Sequence, residues 1–199
     1  GSGLTPVSDR PTWLEVTAPQ NTPDGFEGIV LRGNEVGGPC GALPGLEMAR
    51  ACAPGQKILL DANCTPAQVA QAIQAGAQGI ILSDVLLPQA QMGLPESLAS
   101  RVLSADSGTS HCINGHRIQS SPLAPVLRTL LNGGKFWDLA NNWFGADDPA
   151  QVAWPAGNGL LIGRDLAGQF TSIQALIGHY IASLQPRTTP NVRTTPDVH

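Results

Sequence analysis

The sequence of 199 residues predicts an α/β domain in which a parallel sheet of about four strands is followed by a helical C-terminal region. Three observations indicate this class. Short apolar runs bounded by glycine and proline recur in the first half, residues 57–84 carry a strand, a helix and a strand in turn, and the later residues show helical stripes without strand runs. A strand–helix–strand unit implies parallel strands joined by a right-handed crossover.

Four segments have the composition of strands. Thr12–Thr17 alternates between side-chain types and carries β-forming residues, while Gly28–Gly33, Lys57–Leu60 and Gly79–Leu82 are short apolar runs. Runs that are apolar throughout are typical of parallel strands covered by helices on both sides. We expect these four segments to form one sheet.

Five segments carry helix signals. The clearest begins with Thr65 as N-cap and Pro66 at the first helical position. The C-terminal helix is predicted to begin with Thr171 and Gln174 as a capping box, and its apolar stripe ends at Leu184. The other three segments are shorter: Leu46–Ala53, Leu94–Leu103 and Leu123–Leu131.

The remaining segments set the predicted domain boundaries. Residues 104–121 are polar and are predicted to be irregular. We interpret residues 1–3 as a cloning remnant, 4–185 as the truncated barrel-like domain, and 186–199 as a linker or disordered tail in which Arg-Thr-Thr-Pro occurs twice. These ends suggest a domain cut from a larger protein.

Composition argues against several classes of protein. Charged residues make up 13% of the chain, the net charge is -4, and no basic block is present, so nucleic-acid binding is not expected. The apolar runs are far shorter than the roughly 18 residues of a membrane span. The four cysteines lack the spacing of a zinc site, so no metal is predicted. We interpret them as reduced thiols of a cytoplasmic protein.

A glycine-rich loop follows the second predicted strand. Gly33–Gly38 reads Gly-Asn-Glu-Val-Gly-Gly and lies at the carboxyl end of a parallel strand, where α/β barrels place their active sites. The glycine pair allows the backbone to approach a ligand, and the Asn and Glu side chains can hold polar groups. A structural turn fits the spacing equally well. Asn34, Glu35, Gly37 and Gly38 are the candidate cofactor-binding residues, and no catalytic residue is assigned.

Several segments resemble a known enzyme family. Gly28–Gly38 is similar to the strand and loop of nitronate monooxygenases (2-nitropropane dioxygenases), and Ala75–Leu82 resembles a later strand of that family. The resemblance is closer to the branch of polyketide and polyunsaturated fatty acid synthases, which includes flavin enoyl reductases. Trp154–Gly157 with the last helix is similar to the tail of that branch. The resemblance spans residues 25–185 and implies a TIM barrel that binds FMN, its phosphate held by glycine-rich loops after two late strands.

The sequence departs from this pattern at the phosphate loops. Asp61–Cys64 replaces a Gly-Gly-Ile type loop, and Ser83-Asp84 replaces a Gly-Thr type loop, so that two carboxylates occupy the expected phosphate corner. Each like-charge contact at about 4 Å costs about 4 kcal/mol in an effective dielectric of about 20. The helix N-terminus at Thr65 offsets only about 0.3 to 1 kcal/mol. Pro39 also replaces the histidine that the resemblance implies for catalytic members.

Four strands cannot close an eight-stranded barrel, which usually takes about 250 residues. We therefore expect a truncated or partial TIM-barrel-like sheet whose open edges are covered by the C-terminal helices, by a second copy in a homodimer, or by neighbouring synthase domains.

The favoured function is that of a degenerate, flavin-free nitronate monooxygenase-like domain of a modular polyketide or fatty acid synthase. Its role is that of a scaffold or interaction domain without activity in isolation. Two alternatives stay open. One is an FMN-dependent enoyl reductase acting on carrier-bound acyl thioesters, and the other is a module that binds an acyl carrier protein or an acyl chain.

Overall fold

The computed structural model describes residues 5–7, 9–120, 125–134 and 153–184. The predicted remnant at 1–3 and the predicted tail at 186–199 lie outside these residues. Seven strands are found within them: β1 (Trp13–Val16), β2 (Gly28–Arg32), β3 (Gly38–Pro39), β4 (Ile58–Asp61), β5 (Gly79–Ile81), β6 (Ser110–Ile113) and β7 (His116–Gln119). The described α-helices are α1 (Gly45–Ala51), α2 (Pro66–Gln74), α3 (Glu96–Ser104), α4 (Pro125–Leu131), α5 (Gly159–Ala167) and α6 (Ile173–Leu184).

The main sheet is parallel and has the strand order β1-β2-β4-β5. Each of the four predicted strand segments overlaps one of these strands, so the α/β class and the parallel sheet are confirmed. The helix between β4 and β5 also begins as predicted. Thr65 is its N-cap, Pro66 is its first residue, and the side-chain oxygen of Gln68 accepts a hydrogen bond from the Thr65 amide at 2.8 Å.

The two faces of this sheet differ in burial. On the core face, Leu14, Ile29 and Ile58 lie side by side and are buried. On the second face, Val30 and Leu59 are neighbours and are only half-buried. The expectation of strands buried on both sides is therefore wrong for β2 and β4, because burial alternates along them as it does in a sheet with one packed face.

The C-terminal helix α6 completes the core. Leu176 is fully buried and Tyr180 is nearly so, and both belong to the cluster that contains the core-face residues of the sheet. The Tyr180 hydroxyl donates a hydrogen bond of 2.8 Å to the carbonyl oxygen of Cys64. This bond satisfies the buried hydroxyl and attaches α6 to the loop after β4.

Residues 104–121 are not irregular as predicted, because they contain a hairpin. The strands β6 and β7 pair antiparallel, and β3 joins β7 to give a second sheet in the order β3-β7-β6. Asn114 and Gly115 form the turn with φ of 51° and 73°. Asn-Gly is the preferred pair for such a turn, but the polar composition of both strands hides the signal.

Two further details differ from the sequence predictions. The cap of α6 is Ser172, whose hydroxyl oxygen accepts a hydrogen bond from the Ala175 amide at 3.0 Å, so the predicted box at Thr171 is wrong by one position. Helix α5 was not predicted, because its glycines reduce helix propensity.

Across the described parts of the chain, no helix combines the length and the apolar character that crossing a membrane requires.

The packing of α6 predicts a contrast between two of its apolar residues. We expect Leu176→Ala to lower the free energy of unfolding by about 2 to 5 kcal/mol, because it leaves a cavity at a fully buried position. Ile181→Ala is the control, since that side chain is 56% exposed, and we expect a change of less than about 1 kcal/mol. Urea unfolding measures both, and equal losses would contradict the packing.

Candidate functional site

Residues from three loops, among them the predicted Glu35, meet at the carboxyl end of the main sheet. The loops after β2, β4 and β5 bring Glu35, Asn63 and Asp84 into hydrogen-bonded contact. A fourth segment, residues 154–159, also lies at this end, although its Gly157 is 73 positions from Asp84 in the sequence. We call this group of residues the carboxyl-end cluster.

Asp84 is the centre of the carboxyl-end cluster. Its side chain is buried, and one oxygen, Oδ2, accepts hydrogen bonds from the Gly37 amide at 3.2 Å, the Asn63 side-chain amide at 3.1 Å and the Gly157 amide at 2.7 Å. Two of the donors are backbone N–H groups from loops that are distant in sequence. Converging backbone amides of this kind form an anion-binding concavity, and here the anion is the protein's own carboxylate.

Glycine allows residues 154–159 to lie directly on the loop after β2. A Cβ atom on Gly37 would lie 2.5 Å from the Ala156 Cα. A Cβ atom on Gly157 would lie 2.6 Å from the Gly37 nitrogen and 2.7 Å from the Asn63 side-chain nitrogen. Real Cβ atoms do not approach other heavy atoms so closely. Contact between the two segments therefore requires glycine at both positions.

Asp61 lies beside Asp84 but has different partners. Its carboxylate is 3.2 Å from the Arg32 guanidinium, which also pairs with Glu15 at 2.5 Å, and it accepts a hydrogen bond of 3.2 Å from the Ser83 hydroxyl. Burial raises the pKa of Asp61 to about 6, although Arg32 and Ser83 act in the opposite direction. The nearby Asp84 and Glu15 carboxyl groups act in the same direction as burial, and together these effects outweigh the ion pair.

Glu35 faces the N-terminus of α1. Its two carboxyl oxygens lie 3.0 and 3.2 Å from the Gly45 amide, and its own carbonyl oxygen accepts hydrogen bonds from the Asn63 side chain and the Asn158 amide. Burial raises the pKa of Glu35, while the hydrogen bond from Gly45 lowers it. The side chain stabilises a helix end and a turn in this structure.

The other predicted residues are also bonded within the protein. The Asn34 carbonyl oxygen accepts a hydrogen bond from Arg117, and the Asn34 side chain donates to the Ala42 carbonyl at 3.4 Å. Gly38 has a φ of 76° and opens β3, where it pairs with Arg117. The Pro39 carbonyl accepts a hydrogen bond of 2.8 Å from Arg32. The loop is therefore held by two guanidinium groups that sequence reasoning did not single out.

Sequence reasoning missed four residues of this site: Arg32, Asn63, Arg117 and Gly157. Arg32 and Asn63 follow or end predicted strands, and their positions at the carboxyl end could have indicated them. Arg117 and Gly157 come from the hairpin and from residues 154–159. No local signal places those segments against the sheet.

The phosphate group of the flavin that the resemblance implies does not fit the carboxyl-end cluster. A phosphate at this corner needs N–H donors, and the Gly37, Asn63 and Gly157 donors are bonded to Asp84. The neighbouring Asp61 adds a second carboxyl group.

As to metals, the residues that the structure describes include no group of three His, Cys, Asp or Glu side chains that could hold an ion.

A surface groove of about 490 Å³ lies at the opposite end of the sheet. It is lined by the loops that precede β2 and β4, residues 21–27 and 53–57, and includes the ion pair of Lys57 with Glu27. None of the candidate cofactor-binding residues lines it. Parallel sheets bind ligands at the carboxyl ends of their strands, so this groove does not change the location of the candidate site.

Comparisons with known proteins show the fold. No protein-family model matches the sequence, and no curated protein matches it. The structure is similar to FabK from Thermotoga maritima, with a TM-score of 0.60 and 12% identity over 80% of this chain and 56% of that chain. It is also similar to a nitroalkane oxidase from Streptomyces ansochromogenes, with a TM-score of 0.62 and 16% identity over 87% of this chain and 58% of that chain.

These comparisons confirm the fold part of the resemblance. The chain spans a little more than half the length of both proteins, and its sheet matches part of their TIM-barrel folds. The prediction of a partial TIM-barrel-like sheet is therefore confirmed. The assignment of Asn34, Glu35, Gly37 and Gly38 to a cofactor stays a prediction.

The close approach of residues 154–159 predicts a contrast between two glycines. Gly157→Ala places a methyl group against the Gly37 and Asn63 nitrogens, and we expect it to lower the free energy of unfolding by about 1 to 3 kcal/mol. Gly178→Ala is the control, because its Cβ would meet open space within a helix, and we expect a gain of up to about 1 kcal/mol. Chemical denaturation measures both, and a neutral Gly157→Ala variant would contradict the contact.

The raised pKa of Asp61 predicts a pH dependence of stability. The folded state holds this proton more tightly than the unfolded chain, so the contribution of Asp61 to stability is complete below about pH 4 and is lost as pH rises through about 6. The interval from 3.8 to about 6 corresponds to about 3 kcal/mol.

We expect Asp61→Asn to flatten the decline in unfolding free energy between about pH 4 and 7, as followed by urea melts at several pH values. Asp165→Asn is the matched control, because the Asp165 side chain is 68% exposed and forms its ion pair with the adjacent Arg164. An identical decline in wild type and in Asp61→Asn would show that the buried Asp61 does not cause the fall in unfolding free energy with pH.

Proposed function

We propose that this chain is a flavin-free, non-catalytic relative of the nitronate monooxygenase-type barrels and that it serves as a scaffold or interaction domain of a polyketide or fatty acid synthase. The similarity of fold supports the broad relationship. The synthase context rests on the resemblance of the loop Gly28–Gly38 and of the tail Trp154–Gly157 to the synthase-associated branch.

The expectation that no flavin binds rests on one observation, the three hydrogen bonds that Asp84 Oδ2 accepts. A bound phosphate would have to displace this carboxylate from its donors and leave it buried without partners. Breaking a buried charged hydrogen-bond network costs about 3 to 5 kcal/mol, before any contact with the phosphate is considered.

The charges at the carboxyl end of the sheet also oppose the binding of a phosphate. Within the described parts of the chain, the carboxyl end of the sheet carries more carboxyl groups than guanidinium groups: Glu15, Glu35, Asp61 and Asp84 against Arg32 and Arg117. A phosphate dianion at about 4 Å from one carboxylate is repelled by several kcal/mol in an effective dielectric of about 20. Both guanidinium groups are already bonded to protein oxygens, so neither is free to compensate.

An interaction role is supported by the sheet itself. Among the described residues, the outer strands β1 and β5 each pair with a single neighbour. The second face carries the half-buried Val30 and Leu59. Open edges and half-covered apolar faces are features that proteins cover with a further element or a partner. A neighbouring synthase domain, an acyl carrier protein or a second copy of the chain would supply that cover.

The test is a flavin-binding measurement on the purified protein. We expect no flavin absorbance after purification and no quenching of FMN fluorescence on titration with the protein. A flavin enoyl reductase purified in parallel serves as the positive control. Stoichiometric yellow protein would overturn the proposal.

A pair of variants tests whether Asp84 is the cause. Asp84→Gly removes the carboxylate and leaves the Gly37 and Gly157 amides without an acceptor, so we expect it to bind FMN or inorganic phosphate at least tenfold more tightly than wild type. Asp165→Asn removes an exposed carboxylate and is expected to leave binding unchanged. Circular dichroism confirms that each variant is folded before it is titrated.

The two alternatives predict different results in the same preparation. An FMN-dependent enoyl reductase would oxidise NADPH in the presence of an enoyl thioester and added FMN. A carrier-binding module would change the anisotropy of labelled acyl carrier protein without turnover. Turnover would contradict the non-catalytic role, whereas carrier binding without turnover would identify the partner of an interaction domain.

A further inference from the structure

Two cysteines that are distant in sequence lie in contact beside the carboxyl-end cluster. The sulfur atoms of Cys40 and Cys112 are 3.7 Å apart, although the residues are separated by 72 positions. Both are free thiols in the structure, as are the other two cysteines, Cys52 and Cys64. A disulfide bond has a sulfur–sulfur length of about 2.05 Å, so the two sulfurs need to approach by less than about 2 Å.

The second sheet fixes this pair in place. Cys40 directly follows β3, and its amide donates a hydrogen bond of 2.9 Å to the Gly115 carbonyl in the turn of the hairpin. Cys112 lies on β6 and pairs in register with Arg117 of β7. Backbone hydrogen bonds on both sides therefore hold the thiols close, and bond formation requires side-chain movement rather than refolding.

The two thiols differ in access. Cys112 is exposed, whereas Cys40 is buried. Burial and the neighbouring Cys112 raise the pKa of Cys40 to about 11, and the Arg117 guanidinium acts in the opposite direction. Its exposure makes Cys112 the thiol that a dissolved oxidant reaches first. The sulfur–sulfur distance of 3.7 Å places Cys40 to react with the product, and the raised pKa of Cys40 makes that second step the slower one at neutral pH.

We propose that Cys40 and Cys112 form a reversible intramolecular disulfide, a redox modification site that connects the loop after β2 to the hairpin. With a small disulfide such as oxidised glutathione as oxidant, the Cys112 thiolate attacks one sulfur and releases one glutathione thiolate. The Cys40 thiolate then attacks the Cys112 sulfur of the mixed disulfide and releases the second. Two protein thiols are oxidised, their two protons pass to the two released glutathione thiolates, and one glutathione disulfide is thereby reduced to two thiols.

The bond would restrain the loop that holds the candidate site residues. Cys40 is three positions after Gly37, whose amide donates to Asp84, so the bridge would connect the hairpin to the carboxyl-end cluster. A cross-link over 72 positions also restricts the unfolded chain. We expect the oxidised protein to melt roughly 5 to 10 °C above the reduced protein. This inference does not depend on whether flavin binds.

The experiment equilibrates the full chain in glutathione buffers of increasing oxidised fraction, quenches with an alkylating agent, and measures intact mass and peptide maps. We expect the intact mass to fall by two hydrogen atoms, a cross-linked peptide to contain Cys40 and Cys112, and dithiothreitol to reverse both changes. The rise in melting temperature should follow the oxidised fraction.

Two variants identify the pair. Cys112→Ser changes an exposed side chain, so the fold is retained, and we expect it to abolish both the bridge and the thermal shift. Cys52→Ser is the matched control and is expected to leave both unchanged. A lasting glutathione adduct on Cys112 without a bridge, a bridge that includes Cys52 or Cys64, or a disulfide-linked dimer would each overturn the proposal.

Discussion

The carboxyl end of the sheet depends on the hydrogen bonds that Asp84 accepts from the Gly37, Asn63 and Gly157 donors. These bonds connect the loops after three strands and bind residues 154–159 to them. A buried carboxylate is tolerated only when its oxygens are well bonded, and these donors meet that requirement for Oδ2. The hydrogen bonds that hold these loops together also occupy the N–H donors that an anionic ligand would use.

These hydrogen bonds change what the carboxyl end of the parallel sheet can bind. Parallel sheets of this type place binding sites at the carboxyl ends of their strands, and this chain brings its polar residues to that end. The polar groups there are directed at one another: Asp61 at Arg32, Glu35 at Gly45, and Asp84 at the backbone. On the second face of the sheet, Val30 and Leu59 are only half-buried, which is why the proposed interaction role places a partner there.

The four strands and helix α2 could be predicted because their signals are local: apolar runs, an N-cap, and glycines after the strands. The placement of Asp61 and Asp84 at one corner followed from the resemblance, because they stand where the two phosphate loops of the family are expected. Their partners could not be predicted, because Gly157 reaches Asp84 from 73 positions away. The hairpin around Asn114 was missed because its strands are polar, and helix α5 was missed because its glycines reduce helix propensity.

A crystal structure determined at millimolar FMN would show whether Asp84 or a flavin phosphate is bonded to the Gly37 and Gly157 amides. We predict that Asp84 Oδ2 stays within hydrogen-bonding distance of the Gly37 and Gly157 amides and that no flavin density lies at the carboxyl end of the sheet. A flavin phosphate bonded to those two amides, with the Asp84 side chain rotated away, would contradict the account.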